Sequence, residues 1–394
     1  MSNLPRLDGR TILQVIPEIA AGGAERTVIE VAEAVQEAGG KALVASAGGR
    51  LAPQLDACGG ELITMDLASK NPLVVFQNAS RLAQLISSRS VDLVHARSRA
   101  PAWSAWRAAH AAGIPFVTTY HGAYSGTSGP KKLYNSVMAR GDLVIANSEW
   151  ICDHIKTVHG VQDDKIVVIP RGVDLTRFNP SNVSESRMAD MRRDWGLSDK
   201  NTRLVLLLPA RFTEWKGQSL ALSALARLAP DERDALVLVM AGDAQGRRKY
   251  LEELETQIAE NDLLEATRVA GHCTDMPAAL ASADIVLAPS VRPEAFGRTA
   301  IEAAAMGKSV IAADHGGARE TVIDGQTGAR FQPGDAAALA GAIRSLVQIG
   351  PETRQGMGLA GRIHVERHYS KRGLQAATLS VYTALMTKGI SRTA

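Results

Sequence analysis

The sequence predicts an α/β protein made of two doubly wound domains, and three observations carry that prediction. The chain has 394 residues, more than one typical core and enough for two of about 200. Short apolar runs recur between helical runs along its length, the signature of parallel sheets. Each half also opens on a strand, a loop and a helix: residues 11–16 (TILQVI) run into PEIAAGGAER, and residues 203–208 (RLVLLL) run into PARFTEWKG. An apolar content of 45% and a charged content of 22% suit a globular chain, and only 4% aromatic residues means aliphatic, Ala-rich cores.

The same composition narrows the function. A net charge of +3 is too small to suggest nucleic acid. Cys58, Cys152 and Cys273 are far apart with no CxxC pair, which suggests neither a disulfide framework nor a zinc site and favours a reduced, cytoplasmic setting. The N-terminus lacks a signal-peptide core, and no run approaches the ~18 apolar residues that would span a bilayer. Membrane contact is therefore expected to be peripheral. No short-period repeat and no low-complexity tract occurs.

In the first half, strands are expected at residues 11–16, 41–45, 61–65, 91–95, 115–119 and 143–146, with helices at 27–37 and 73–88. Gly22 and Gly23 stand at the first strand–helix turn, where they could admit a phosphate or simply turn the chain. His95, His121–Gly122 and Asn147–Ser148 fall at or just past strand ends, where parallel sheets gather ligands. Arg171, in the turn IPRGVD, could meet phosphate or serve as a hinge. Residues 81–140 carry Arg81, Arg89, Arg97, Arg99, Arg107, Lys131, Lys132 and Arg140 against Asp92 alone, eight cations less one acid, or about +7 locally. Beside the Gly/Ser-rich stretch 120–130, Arg97, Arg99, Lys131 and Lys132 are candidates for an anionic acceptor or an anionic membrane surface; a solvated face is the alternative.

In the second half, residues 179–201 read as a linker with a short helix. Strands follow at 203–208, 235–240 and 268–270, the last ending in GHCTDMP. Arg211 and Lys216 place two cations in a loop at a strand end, able to offset a diphosphate or standing simply as surface cations. A helix over 276–283 leads to the stretch around which the chain is organised, residues 288–328. There a strand at 285–287 is stopped by Pro289 and Pro293, a helix over 298–306 is closed by Gly307, and another strand covers 309–312. Phe296–Gly297 thus sits at a helix N-terminus, where unpaired N–H groups and the helix dipole attract anions. Glu294 and Glu302 bracket it, either as acids that simply favour a helix N-terminus or as ligand groups. A carboxylate can accept both hydroxyls of a diol, so an anion cradle between two carboxylates suits a diphosphate with a sugar at each end. From residue 335 the chain reads as mostly helical, ending in a helix over 371–388.

The pattern E-x-F-G-x-x-x-x-E, then A-x-G and G-G-x-x-E, is formed by Glu294, Phe296, Gly297, Glu302, Gly307, Gly316, Gly317 and Glu320. It resembles the nucleotide-sugar signature of retaining glycosyltransferases of family 4 (group 1). GGAER, TTYHG and R-x-x-x-x-K-G match further family elements in family order, with Ala210 where the family has Gly before the Arg. The resemblance implies the GT-B fold, two facing Rossmann-like domains with parallel sheets and a central cleft. It implies an acceptor domain at 1–180, a donor domain at 181–370 and a helix at 371–394 that crosses back. It implies that Glu294 holds the donor sugar, Glu302 the ribose, and the backbone of Ala295, Phe296, Gly297, Arg298 and Thr299 the sugar and diphosphate. Arg211 and Lys216 would bind the diphosphate, Gly22 and Gly23 would border the donor, and His121 would reach the reacting sugar.

The implied reaction moves a hexose from a UDP- or GDP-sugar to a hydroxyl of an envelope glycan or lipid-linked acceptor, lipopolysaccharide core being favoured, with retention of configuration. No cofactor and no metal are expected: the chain has no D-x-D triplet, and its cations can take a metal's place. The expected location is cytoplasmic, at the inner face of the membrane. Two other readings stay open, a nucleotide-sugar 2-epimerase of the same fold and a non-catalytic nucleotide-sugar binder.

Overall fold

The computed structural model describes residues 4–20, 22–124, 128–197 and 202–387. The chain forms two compact units, residues 1–172 with 371–394, and residues 173–370.

Unit 1 is built from β1 (Thr11–Val15), α1 (Gly23–Glu37), β2 (Lys41–Ser46), α2 (Ala52–Ala57), β3 (Glu61–Thr64), α3 (Pro72–Ser88), β4 (Leu93–Ala96), α4 (Arg99–Ala111), β5 (Phe116–Tyr120), α5 (Gly129–Asn135), β6 (Leu143–Ala146), α6 (Glu149–His159) and β7 (Ile166–Val168). The strands form one parallel sheet in the order β3-β2-β1-β4-β5-β6-β7, with Ile12 opposite both Ala42 and Leu93. Helices cover such a sheet on both faces, so its central strands can be apolar throughout, and β1 is buried at every position. Helix boundaries follow local chemistry. Asn71 caps α3 by accepting from the Leu73 N–H, with Pro72 in the first turn. Ser148 caps α6, which ends at Gly160 in the left-handed region. The short elements α2 and β7 were not expected, because runs of so few residues show no periodicity.

The last helix, α16 (Lys371–Thr387), belongs to this unit. Its Leu374, Leu379, Val381 and Tyr382 join the core that includes Val28, Val31 and Val35 of α1. Gln375 Nε2 donates to the Glu30 carbonyl at 2.8 Å, and Lys371 pairs with Glu33 at 3.1 Å. Tyr382 is fully buried and its hydroxyl meets His95 Nδ1 at 2.6 Å, while His95 Nε2 meets Thr119 Oγ1 at 2.7 Å. A helix from the end of the chain therefore satisfies a polar group inside the first sheet.

Unit 2 runs through α7 (Glu185–Asp194), β8 (Leu204–Pro209), α8 (Gln218–Leu225), α9 (Pro230–Asp234), β9 (Leu236–Ala241), α10 (Arg248–Glu260), β10 (Thr267–Gly271), α11 (Met276–Ala281), β11 (Ile285–Ala288), α12 (Arg298–Ala305), β12 (Ser309–Ala313), α13 (Ala318–Thr321), β13 (Gly328–Phe331), α14 (Ala336–Gln348) and α15 (Gly350–His368). Its parallel sheet has the order β10-β9-β8-β11-β12-β13. The period of two sorts each strand's side chains into separate cores. Val205 and Leu207 join Val237, Val239 and Val286 on one face, while Leu206 and Leu208 join Leu238, Ile285 and Ile311 on the other. The edge strand β13 was not anticipated, since GARF carries little β-forming character.

The break between units falls after Gly172, earlier than the boundary expected at 180. Apolar anchors explain the shift. The Val173 N–H donates to the Tyr369 carbonyl at 2.8 Å, and Val173 and Phe178 are buried in the second unit's core beside Trp195. No helix among the described residues is long and apolar enough to cross a membrane.

Replacing Tyr382 by Phe leaves His95 Nδ1 buried without that partner, which should cost unit 1 about 1–3 kcal/mol. Faster amide exchange in β4 and β5, with β8 and β11 unchanged, is the expected result.

Candidate active site

In unit 2 the strand order reverses between β8 and β11, and ligands of doubly wound sheets collect at the carboxyl ends of such strands. The turns after these two strands pack directly on each other. Gly217 has φ 81°, and a Cβ there would lie 2.1 Å from the Pro289 carbonyl oxygen, so only glycine fits. The Val291 N–H donates to the Trp215 carbonyl at 2.9 Å. Lys216 and Glu294 are thereby brought together, with Nζ 2.7 Å from Oε1 and both side chains mostly buried. The Ser290 hydroxyl also donates to that oxygen. Lys216 Nζ lies 4.3 Å from the centre of the Trp215 ring, whose face favours the ammonium.

Gly297 precedes α12 with φ 81°, and its nearest neighbour to a notional Cβ is Thr321 Oγ1 at 3.8 Å. Residues 294–296 are held from behind. The Gly317 N–H donates to the Glu294 carbonyl at 2.8 Å, and a Cβ on Gly317 would stand 2.5 Å from Phe296 Cα. Phe296 itself is a core residue, packed edge-on against Tyr369 at 5.4 Å. At the start of α12, Arg298 Nε donates to Oε1 of Glu302, one turn further on, at 3.1 Å. Thr299 is half-buried with Oγ1 3.5 Å from the Pro209 carbonyl, which keeps it by the end of β8. Arg211 stands apart, exposed, with Nη1 3.3 Å from Gln245 Oε1. Its backbone carbonyl accepts from the buried Gln218 at 2.9 Å.

His315 was not singled out from sequence. Its Nε2 donates to the Ser290 carbonyl at 2.9 Å, leaving Nδ1 buried and without a partner, and burial lowers its pKa. It holds the residue that donates to Glu294. The signal was its place directly before Gly316–Gly317, at the end of β12. Among the described residues no group of three or more His, Cys, Asp or Glu is placed to hold a metal ion.

In unit 1 the corresponding reversal lies between β1 and β4. Gly22 and Gly23 begin α1, and a Cβ on Gly23 would collide with the Arg171 guanidinium. Arg171 Nη2 donates to His121 Nδ1 at 3.4 Å, so the neutral ring carries its proton on Nε2, which is buried and has no hydrogen-bond partner. Burial, then the charges of Arg171 and Arg97, push the His121 pKa well below the usual value. Asn147 is also buried, with neither side-chain atom bonded.

The expected cationic face needs correction. Arg97 is only 3% exposed. It donates from Nε to Gln14 Oε1 at 2.9 Å and from Nη1 to Thr119 Oγ1 at 3.3 Å. It follows a buried strand and turns under the sheet end, so it belongs to the interior. Arg99 is half-buried, bonded to Asn135 and stacked 4.1 Å from the Tyr124 ring centre. Lys131 and Lys132 remain exposed.

Comparison with known proteins bears directly on this arrangement. Residues 21–177 match the model of Glycosyltransferase Family 4, and residues 192–364 that of Glycosyl transferases group 1. Glycogen synthase of Mycobacterium tuberculosis is 30% identical over 340 residues, covering 83% of this chain and 77% of that protein. The chain belongs to the group 1, family 4 glycosyltransferases. A glycosyltransferase from Rickettsia africae ESF-5 has the same fold with a TM-score of 0.88 and 34% identity, over 96% of this chain and 99% of that one. HepE of Anabaena, solved with UDP and glucose, gives 0.83 and 25% over 95% and 100%. The transferase therefore has the GT-B fold.

His95 and His121 are both held neutral by burial. Below the ordinary histidine pKa of about 6.5, the unfolded chain takes up protons that the native transferase refuses. Their contribution is complete above that pH and declines as pH falls beneath it, by up to about 1.4 kcal/mol per pH unit for each proton. His121→Gln should flatten the stability profile between pH 6.5 and 5; an unchanged slope would show that His121 titrates normally.

Proposed function

We propose that the transferase moves a hexose from a UDP- or GDP-sugar to a hydroxyl of an envelope glycan or lipid-linked acceptor, with retention of configuration and without a metal. Lipopolysaccharide core is the favoured acceptor, on sequence resemblance alone. Unit 2 takes the donor and unit 1 the acceptor, at the inner face of the cytoplasmic membrane. The observation that carries this reading is the Lys216–Glu294 pair beside the N-terminus of α12, at the reversal point of the second sheet. HepE, of the same fold, is described in complex with UDP-glucose.

Glu294 accepts from the sugar hydroxyls and Glu302 from the ribose. The backbone from Ala295 to Thr299 lines the sugar and diphosphate. An ammonium has three donors, so Lys216 can keep Glu294 and still meet phosphate oxygens. With Arg211 and the helix N-terminus it stabilises the diphosphate as it leaves, which makes a metal unnecessary. Gly22–Gly23 borders the donor, and the Nε2–H of neutral His121 donates to the reacting sugar. The bond from the anomeric carbon to the phosphate oxygen breaks, the acceptor oxygen bonds to the same face, and its proton passes to the leaving phosphate.

Turnover of a panel of UDP- and GDP-sugars without acceptor is the first test. Free nucleotide diphosphate from one donor supports the reading, whereas conversion to a sugar isomer would make the protein an epimerase. Glu294→Ala should lower turnover by about 100-fold or more with nucleotide still bound. Lys216→Ala should weaken nucleoside diphosphate binding by about tenfold or more. Because the two residues share an ion pair, the double variant should lose less than the two single losses combined. Full transfer by either single variant would overturn the site assignment.

A further inference from the structure

One groove in unit 1 lies outside the strand-end sites. It is formed by the start of α3, by α4 and by α5, and has a volume of about 430 Å³, within the range of small-molecule sites. Val75, Phe76, Trp103 and Leu133 give it apolar walls. Phe76 is 59% exposed and Leu133 60%, and Leu73, one turn before Phe76, is 74% exposed. A surface that leaves large apolar side chains so open is commonly a binding surface. The polar edge of Trp103 is already satisfied, since Nε1 donates to the Tyr134 carbonyl at 3.1 Å. Its indole therefore offers only apolar faces.

The charge on this groove is one-sided. Lys70 and Arg107 line it, and among the described residues no carboxylate does. Both cations rest on aromatic faces, with Arg107 5.4 Å from the Phe76 ring centre and Lys70 6.0 Å from that of Tyr134. Stacking of this kind fixes a cation without neutralising it. Arg140 adds another beside Trp103, at 5.2 Å. A sugar would find too few hydrogen-bonding groups here, and a neutral hydrocarbon would leave the cations unmatched. An apolar slot with cations and no acids suits an amphiphile with a negative head.

We propose that this groove holds one hydrocarbon chain of a phosphate-bearing lipid, with Lys70 and Arg107 against the phosphate. The inference rests on the lipid-linked acceptor reading and gives that acceptor a place on the protein.

The test is calorimetric titration of the full chain with dodecyl phosphate below its micelle-forming concentration. Inorganic phosphate, a neutral dodecyl glycoside and phosphatidylglycerol vesicles serve as comparisons. One molecule of dodecyl phosphate should bind per chain, about tenfold or more tighter than the glycoside, with free phosphate undetected. Phe76→Asp and Leu133→Asp, at positions open enough to fold, should each weaken binding by about tenfold. The Lys70→Glu/Arg107→Glu double variant should abolish the preference for phosphate over the glycoside. The proposal is overturned if monomeric dodecyl phosphate does not bind, if only vesicles bind, which would mean adsorption to a membrane surface, or if the variants bind as the parent does. Donor turnover by the parental protein is read in parallel. Lipid binding without turnover of any UDP- or GDP-sugar would sink the proposed donor and leave the groove standing, and turnover without lipid binding would do the reverse.

Discussion

The close approach of two turns, one after β8 and one after β11, is the constraint on which the candidate site depends. Gly217 lies against the Pro289 carbonyl where a methyl group could not fit. That contact puts Lys216 beside Glu294, 78 residues apart in sequence. The pair would be costly to bury in a dry interior, but here it lies in a partly open strand-end crevice and gains a hydroxyl donor from Ser290. Its surroundings are layered. His315 holds Ser290, Gly317 holds the Glu294 carbonyl, and Phe296 anchors the loop to Tyr369. A site of this kind is positioned by backbone fit first and by charge second.

Unit 1 follows a different scheme. Its strand ends hold a buried cation and a neutral imidazole in one connected group, running from Tyr382 through His95, Thr119 and Arg97 to Gln14. Low polarity raises the cost of any missing partner in such a network. His121 and Asn147 nonetheless keep polar atoms without protein partners at the ends of β5 and β6. Buried groups of that sort favour a polar ligand that can complete them.

Much of the fold was legible because both sheets are parallel and covered on both faces. Their strands appear as uninterrupted apolar runs, and the order of strand, loop and helix follows directly. The weakly patterned pieces escaped, namely α2, β7 and β13. The unit boundary was misplaced because polar residues at 179–201 look like a linker, while the anchors that matter, Val173 and Phe178, are isolated apolar residues. Within the site, resemblance to the family's motifs singled out Glu294, Glu302, Lys216 and Gly316–Gly317. It could not show that Lys216 reaches Glu294, because a distance between strands is not written in either strand. Arg97 was misread for a related reason: a count of charges along the chain says nothing of which way a side chain turns at a strand end. His315 went unnoticed because its role is to hold Ser290 in place.

The return of α16 to unit 1 has a consequence for the order in which the protein is made. Residues 173–370 form the other unit, so the first unit is interrupted by the whole of the second. During synthesis the first sheet leaves the ribosome early, but its core stays open until the last helix follows. Domains released in sequence tend to fold as they emerge, and here that order is inverted: the second unit can close while the first still exposes the face that Leu374, Leu379 and Tyr382 will cover. Of the two units, the one whose synthesis starts first is therefore the one completed last.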